Sequence, residues 1–223
     1  QQEDAAAAML VSAAISLAAH GAARLAILDA TPADVPHAAA LESLAARLPS
    51  LARLFRPRDA AGAGGEGFSP LPARGQAGRP GAPPLFLFVS GLQRLRDLRK
   101  EDDFSFASSG EAPTSPAQQF AHILREGPPL GVHVVLWCDT ATNVDRALDR
   151  NALREFDTRV LFQMSAADST HMIDTPAAST LGRNRALLHS EETGIIEKFR
   201  PYAPADPAWL SDAIAKLSAP KGS

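Results

Sequence analysis

The run LFLFVS, residues 85–90, constrains the fold more than any other stretch. Its apolar residues do not alternate with polar ones, which describes a strand covered on both faces. Two further runs, ARLAILDA at 23–30 and GVHVVLWCD at 131–139, have the same character. Between them lie segments of helical period. EDAAAAMLVSAAISLAAHGA places Met9, Ala13, Ser16, Leu17 and His20 at helical spacing and stops at Gly21. SPAQQFAHILREG opens with Ser115 before Pro116, a capped helix start. Strands and helices in alternation predict an α/β fold, with a mostly parallel central sheet and helices on both faces.

The remaining segments fit that plan. Residues 31–48 become helical from about Pro36, and LARLF at 51–55 reads as a short strand. LQRLRDLRK at 92–100 reads as a short basic helix, and NVDRALDRNALREF at 143–156 as a helix. TRVLFQM is a strand, SAADSTHMID a short helix, RALLHS and GIIEKFRPY a terminal strand pair, and PAWLSDAIAKL a closing helix. Residues 57–84 are dense in Gly and Pro without periodicity, so a flexible loop is expected inside the domain. A single domain over 1–223, cut from a longer multi-domain protein, is the expected organisation.

Composition removes several function classes. A net charge of −3 gives no global attraction to nucleic acid. The single cysteine, Cys138, rules out an intrachain disulfide framework and suits a reducing, cytoplasmic setting. No apolar run reaches the roughly 18 residues of a membrane helix. No Cys/His set has zinc spacing, and no Gly-x-x-x-x-Gly-Lys-Ser/Thr phosphate loop occurs. The stretch GAGGEG at 62–67 lacks both the lysine and a following helix.

In a parallel sheet, chemistry gathers where strands end. Asp29 ends the first strand, where an Asp also serves as an ordinary turn cap. Asp139 ends the third, as a phosphate sensor or as a cap for the next helix. Cys138 reads as a small buried filler and His133 as a core histidine. The middle strand ends in Ser90-Gly91, which can neither hold magnesium nor polarise water as carboxylates do. A hydrolase nucleophile elbow is absent, because Phe88 and Val89 precede Ser90.

The order of motifs resembles the FtsK/SpoIIIE-type motor domain, in the HerA-FtsK branch of P-loop ATPases. The resemblance rests on Gly131-Val132-His133, Thr158-Arg159-Val160-Leu161-Phe162 and Asp168-Ser169-Thr170. It continues through Ala177-Ala178, Leu181-Gly182 and Ala186-Leu187-Leu188. It spans about 85–200 and extends weakly to 1–30. The resemblance implies a three-layer RecA-like P-loop NTPase fold, with ATP and magnesium as cofactors if the site is active. It also implies hexameric rings, duplex DNA and other motor subunits or domains as partners.

The same resemblance places the functional slots. Gln2 stands in the slot of the phosphate-binding lysine and Glu3 in that of the magnesium-holding hydroxyl. Ser90 and Gly91 stand for the magnesium-linked Asp and catalytic Glu, and Asp139 for the sensor glutamine. The inter-subunit arginine slot lies near Pro128, with Arg125 one turn away, and Arg159 matches the family, although a charge beside a strand can also be purely structural. With lysine, hydroxyl, both carboxylates and sensor replaced, the expectation is a degenerate, non-hydrolysing domain, because those groups carry phosphoryl transfer. Two other readings stand beside it. One is an active ATP-driven DNA translocase fragment, with Asp139 or Asp97 replacing a carboxylate and Arg94, Arg96, Arg99 and Lys100 touching DNA. Glu101, Asp102 and Asp103 follow at once and offset that cluster. The other is a pure protein-interaction module.

Overall fold

The computed structural model describes residues 2–20, 23–35, 37–55, 83–100 and 115–218. Helix α1 (Gln2–Ala19) leads to β1 (Arg24–Asp29), α2 (Ala39–Arg47), β2 (Ala52–Phe55) and β3 (Leu85–Ser90). Next come α3 (Pro116–Glu126), β4 (Val132–Trp137), α4 (Ala141–Ala147), α5 (Arg150–Arg154) and β5 (Thr158–Leu161). The chain closes with α6 (Ala166–Ile173), β6 (Ala186–Ser190), β7 (Ile196–Phe199) and α7 (Pro207–Ser218). The loop expected at 57–84 falls outside the described residues, save Pro83 and Pro84.

Four strands form a parallel sheet in the order β2-β1-β3-β4. Successive side chains of a strand point to opposite faces, and the packing follows that period. Leu25 and Ile27 of β1, with Phe88 of β3, meet Leu10 and Val11 of α1, Leu44 of α2 and Ile214 of α7. Ala26, Leu28, Leu87 and Val89 face the other way, onto Phe120 and Ile123 of α3. The middle layer is therefore covered on both faces, as the apolar runs predict. The α3 cap also forms as expected. Ser115 Oγ accepts from Gln118 N–H at 3.2 Å, in a capping box.

A second, antiparallel sheet has the order β5-β6-β7. Its own core joins Leu161, Leu187, Ile173, Ala178 and Leu181. On its other face Phe162 and Ala186 pack against Ala6, with Ala5 and Met9 alongside. Helix α1 thus spans both sheets, its first turns on one and its later turns on the other.

Four local expectations need correction. Residues 92–100 form two short 3-10 turns, Leu92–Arg94 and Arg96–Leu98, instead of a helix. Leu95 lies between them outside helical space, with φ −90° and ψ 85°, because its side chain is drawn into the core. The helix expected over 143–156 is two helices, α4 and α5, broken at an extended Leu148. Asp149 then recaps the chain by accepting from Ala152 N–H at 2.7 Å. His133 is exposed on the strand and stacks on Phe86 at 5.1 Å between ring centroids, so it is no core histidine. Finally, β4 is buried only at Val132 and half-buried from Val134 to Trp137, although its sequence suits full burial.

Candidate functional site

The register sets Asp29 beside Ser90 and Ser90 beside Trp137, so the parallel strands end level. Asp29 is 1% exposed, and its Oδ1 accepts from Thr31 N–H at 2.9 Å. Thr31 Oγ1 lies 3.1 Å from Ser90 Oγ, and Ala30 N–H donates to Ser90 O at 2.9 Å. Two of the residues singled out in the sequence, Asp29 and Ser90, are thus joined through one threonine. The hydroxyls fill the place between the strand ends.

Beyond Ser90 the backbone turns left-handed at Gly91, with φ +80°. A side chain at that position would pass 3.5 Å from Arg94 Nη1 and 3.5 Å from Ala30 Cβ. Space exists for a Cβ, but the backbone conformation disfavours any L-residue by about 1–2 kcal/mol. The polar atom that such a Cβ would meet belongs to the Arg94 guanidinium, the reverse in sign of a magnesium-holding carboxylate.

At the end of β4, Asp139 Oδ1 accepts from Asn143 Nδ2 at 2.8 Å and from Thr140 Oγ1 at 3.3 Å. Thr140, not Asp139, caps α4 by accepting from Asn143 N–H at 3.2 Å. Asp139 braces that cap from outside. Cys138 is half-buried, and burial pushes its thiol up to about 11, away from the reactive thiolate. Its Sγ donates weakly to Thr140 O at 3.7 Å.

The two arginines separate clearly. Arg125 is exposed and pairs with its neighbour Glu126 at 3.1 Å. Arg159 has a side chain only 10% exposed. It donates to Met172 O at 2.8 Å and Leu153 O at 3.2 Å, and pairs with Glu191 at 3.0 Å. Those bonds tie β5 to the ends of α5 and α6, a structural task.

Gln2 begins α1 and donates to Gln163 O, just past β5, at 3.2 Å. Glu3 is half-buried in the first turn of the same helix. Asp4 follows, and His37 Nδ1 at 2.9 Å holds its carboxyl below the usual range. These acidic side chains suit the helix dipole and oppose a phosphate placed there.

Beside that helix end opens a cavity of about 1100 Å³, lined by Gln2, Asp4 and His37 on one side. Arg183, Arg185, Arg200 and Tyr202 line the other. Tyr202 is 84% exposed and the three arginines are exposed as well. Sequence reasoning missed this basic rim. Its signal was the stretch GRNR at 182–185, where Gly182 and Asn184 take positive φ of 79° and 53° and turn the arginines outward. The cluster expected at Arg94, Arg96, Arg99 and Lys100 is exposed with Asp97 among it, while Glu101, Asp102 and Asp103 lie outside the described residues.

No family model matches the sequence, and no curated protein matches it either. Solved structures do. The DNA-packaging ATPase B204 from Sulfolobus Turreted Icosahedral Virus superposes with a TM-score of 0.57 at 12% identity. The match covers 91% of this chain and 94% of that one. The genome packaging NTPase B204 from Sulfolobus turreted icosahedral virus 2, in complex with ATP-gammaS, gives 0.48 at 10% identity, over 87% and 90% of the two chains. The likeness to the first shows a shared α/β fold.

Proposed function

We propose that this chain is a degenerate FtsK/SpoIIIE-type domain that does not hydrolyse ATP and serves as scaffold or regulator within a larger translocase or secretion-type motor. The observation that carries this reading is the end of β3. Ser90 is committed to Thr31, and Gly91 stands in a left-handed turn facing Arg94. A catalytic carboxylate at that turn would sit on a disfavoured backbone. The acidic first turn of α1, with Glu3 and Asp4, supports the same reading. The partners are then other domains of a longer protein or neighbouring motor subunits, in a ring or a tandem array. No helix among the described residues is long and apolar enough to cross a membrane, and a cytoplasmic setting fits the lone thiol.

A second reading, an active ATP-driven DNA translocase, draws support from the likeness to the viral DNA-packaging ATPase and from the arginine-rimmed cavity. In that case ATP and magnesium are cofactors, and Asp139 or Asp97 must stand in for a lost carboxylate. Calorimetric titration of ATP with and without magnesium, together with a phosphate-release assay, separates the two. The scaffold reading expects no magnesium-dependent binding and no turnover. Magnesium-dependent turnover that Asp139→Asn abolishes overturns it. Duplex DNA binding that weakens steeply with salt and is lost when Arg94, Arg96 and Arg99 become Ala supports the translocase.

A further inference from the structure

The cavity of about 1100 Å³ beside the first turn of α1 is lopsided in charge. Its charged lining is Asp4, His37, Arg183, Arg185 and Arg200. Asp4 and His37 answer one another at 2.9 Å. The three arginines have no hydrogen bond or ion pair among the described residues. Two of them are brought together by the sheet. In the ladder of β6 and β7, Ala186 stands opposite Phe199. One step further along that ladder Arg185 and Arg200 come opposite each other, and both line the cavity. Like charges in that relation repel, so the pair is at its best with an anion between them.

The walls hold these groups in place. Gln163 Oε1 accepts from Gly182 N–H at 2.8 Å, and Gln163 O accepts from Gln2 Nε2 at 3.2 Å. The turn that carries Arg183 and Arg185 is thereby tied to the start of α1. Arg200 and Tyr202 stand on the segment between β7 and α7, with Pro201 and Pro204 in it and Pro207 opening the helix. Proline fixes its own φ and restricts the residue before it, so this strap is stiff before anything binds. Asp206 anchors its far end, its Oδ1 accepting from Ala208 N–H at 2.9 Å and Trp209 N–H at 3.1 Å. The floor is apolar, made by Ala5, Ala8 and Val11 of α1, Ala40 of α2 and Leu210 of α7. An apolar floor with a few convergent polar groups is the make-up of a binding site.

We propose that this cavity docks an acidic peptide segment of a neighbouring domain or subunit, with carboxylates on Arg183, Arg185 and Arg200 and apolar side chains on the floor. Guanidinium forks match carboxylates with two N–H groups to two oxygens. The volume exceeds the roughly 300–1,000 Å³ of small-molecule pockets. The lining also runs from the arginine turn to the first turn of α7, a span that suits a chain better than a single ion. Glu3 and Asp4 at the start of α1 oppose a phosphate there, and the net charge of −3 gives no long-range pull on nucleic acid. Tyr202, exposed at the rim, is the aromatic anchor that such interfaces favour. The proposal names the partner chemistry of the scaffold reading and rests on that reading for the source of the peptide.

The test uses the whole 223-residue chain and the fluorescence anisotropy of a labelled peptide, a Leu-Leu pair followed by a run of glutamates. Saturable binding is expected, weakening as salt rises. Arg185→Glu combined with Arg200→Glu should weaken it by about tenfold or more, with circular dichroism checking that the variant folds. Lysine at the same two positions should restore part of the binding, since it keeps the charge and loses the fork. Arg150→Glu, on α5 and outside the cavity lining, should leave binding unchanged. No binding at low salt overturns the proposal. So does equal binding of a peptide with glutamines for glutamates, which would leave apolar contact alone. An equal loss with Arg150→Glu would reduce the effect to non-specific charge and also overturns it. ATP that binds more tightly than the peptide, and is lost in the same double variant, gives the cavity to a nucleotide and overturns it too. Magnesium-dependent turnover removes the scaffold reading instead; the peptide titration does not measure it, so the two fail separately.

Discussion

The parallel and antiparallel sheets are held by different means. The parallel sheet rests on bulk, with Phe88, Ile27, Val89 and Leu44 at 0% exposure and helices on both faces. The antiparallel sheet has a small apolar cluster and leans on directed polar bonds. Ser169 is one such tie. Its Oγ donates to Thr175 O at 2.6 Å and accepts from Ala178 N–H at 3.0 Å, holding α6 to the following turn. Arg159 is another, and Asp157, accepting from Glu192 N–H at 2.6 Å, is a third. Burial is non-directional and indifferent to pH, whereas these bonds depend on single atoms and on charge.

The contrast can be broken by substitution. Phe88→Ala should cost the most, about 3–5 kcal/mol, because it leaves a cavity between α1, α2 and the sheet; urea denaturation measures it. Leu187→Ala, in the smaller cluster, should cost about 2–3 kcal/mol in the same assay. Equal losses would mean that the two cores are one cooperative unit of uniform packing. Ser169→Ala should cost about 1–3 kcal/mol, with faster hydrogen exchange confined to α6 and its following turn. A loss spread over the parallel sheet would deny the local role.

The smallest effect is electrostatic. The Glu192 amide, first among several bonds, holds the Asp157 carboxyl below its ordinary 3.8. A carboxyl depressed in the folded state stabilises it above the unfolded value and loses that contribution as pH falls through the folded one. Asp157→Asn should therefore be the less stable protein at neutral pH, with its difference from wild type closing as pH drops below 3.8. A constant difference across that range would remove the charge from the account. Thermal melts at a series of pH values read it.

These effects also mark where sequence was legible. The strands β1, β3 and β4 were readable because unbroken apolar runs have few alternative fates in a parallel sheet. The cap at Ser115 was readable because its chemistry is local. The helix expected at 92–100 failed because Leu95 and Leu98 are claimed by the core at a spacing that 3-10 turns satisfy. His133 was misplaced because strand membership alone does not say which face has cover. At the candidate site, Asp29 and Ser90 were readable as strand ends, while their bridge through Thr31 depends on register. The arginines at 183, 185 and 200 converge only in three dimensions.

Helices α1 and α7 share one core, in which Ile214 is 1% exposed beside Leu10 and Val11. Arg47 Nη1 donates to Ser211 Oγ at 2.9 Å, and Ser218 Oγ donates to Arg47 O at 3.2 Å, across separations of 164 and 171 residues. Contacts that distant in sequence raise the contact order and slow folding. During synthesis α1 must wait, one apolar flank uncovered, until α7 has left the ribosome. That interval is when the nascent chain is most exposed to aggregation and most in need of a chaperone.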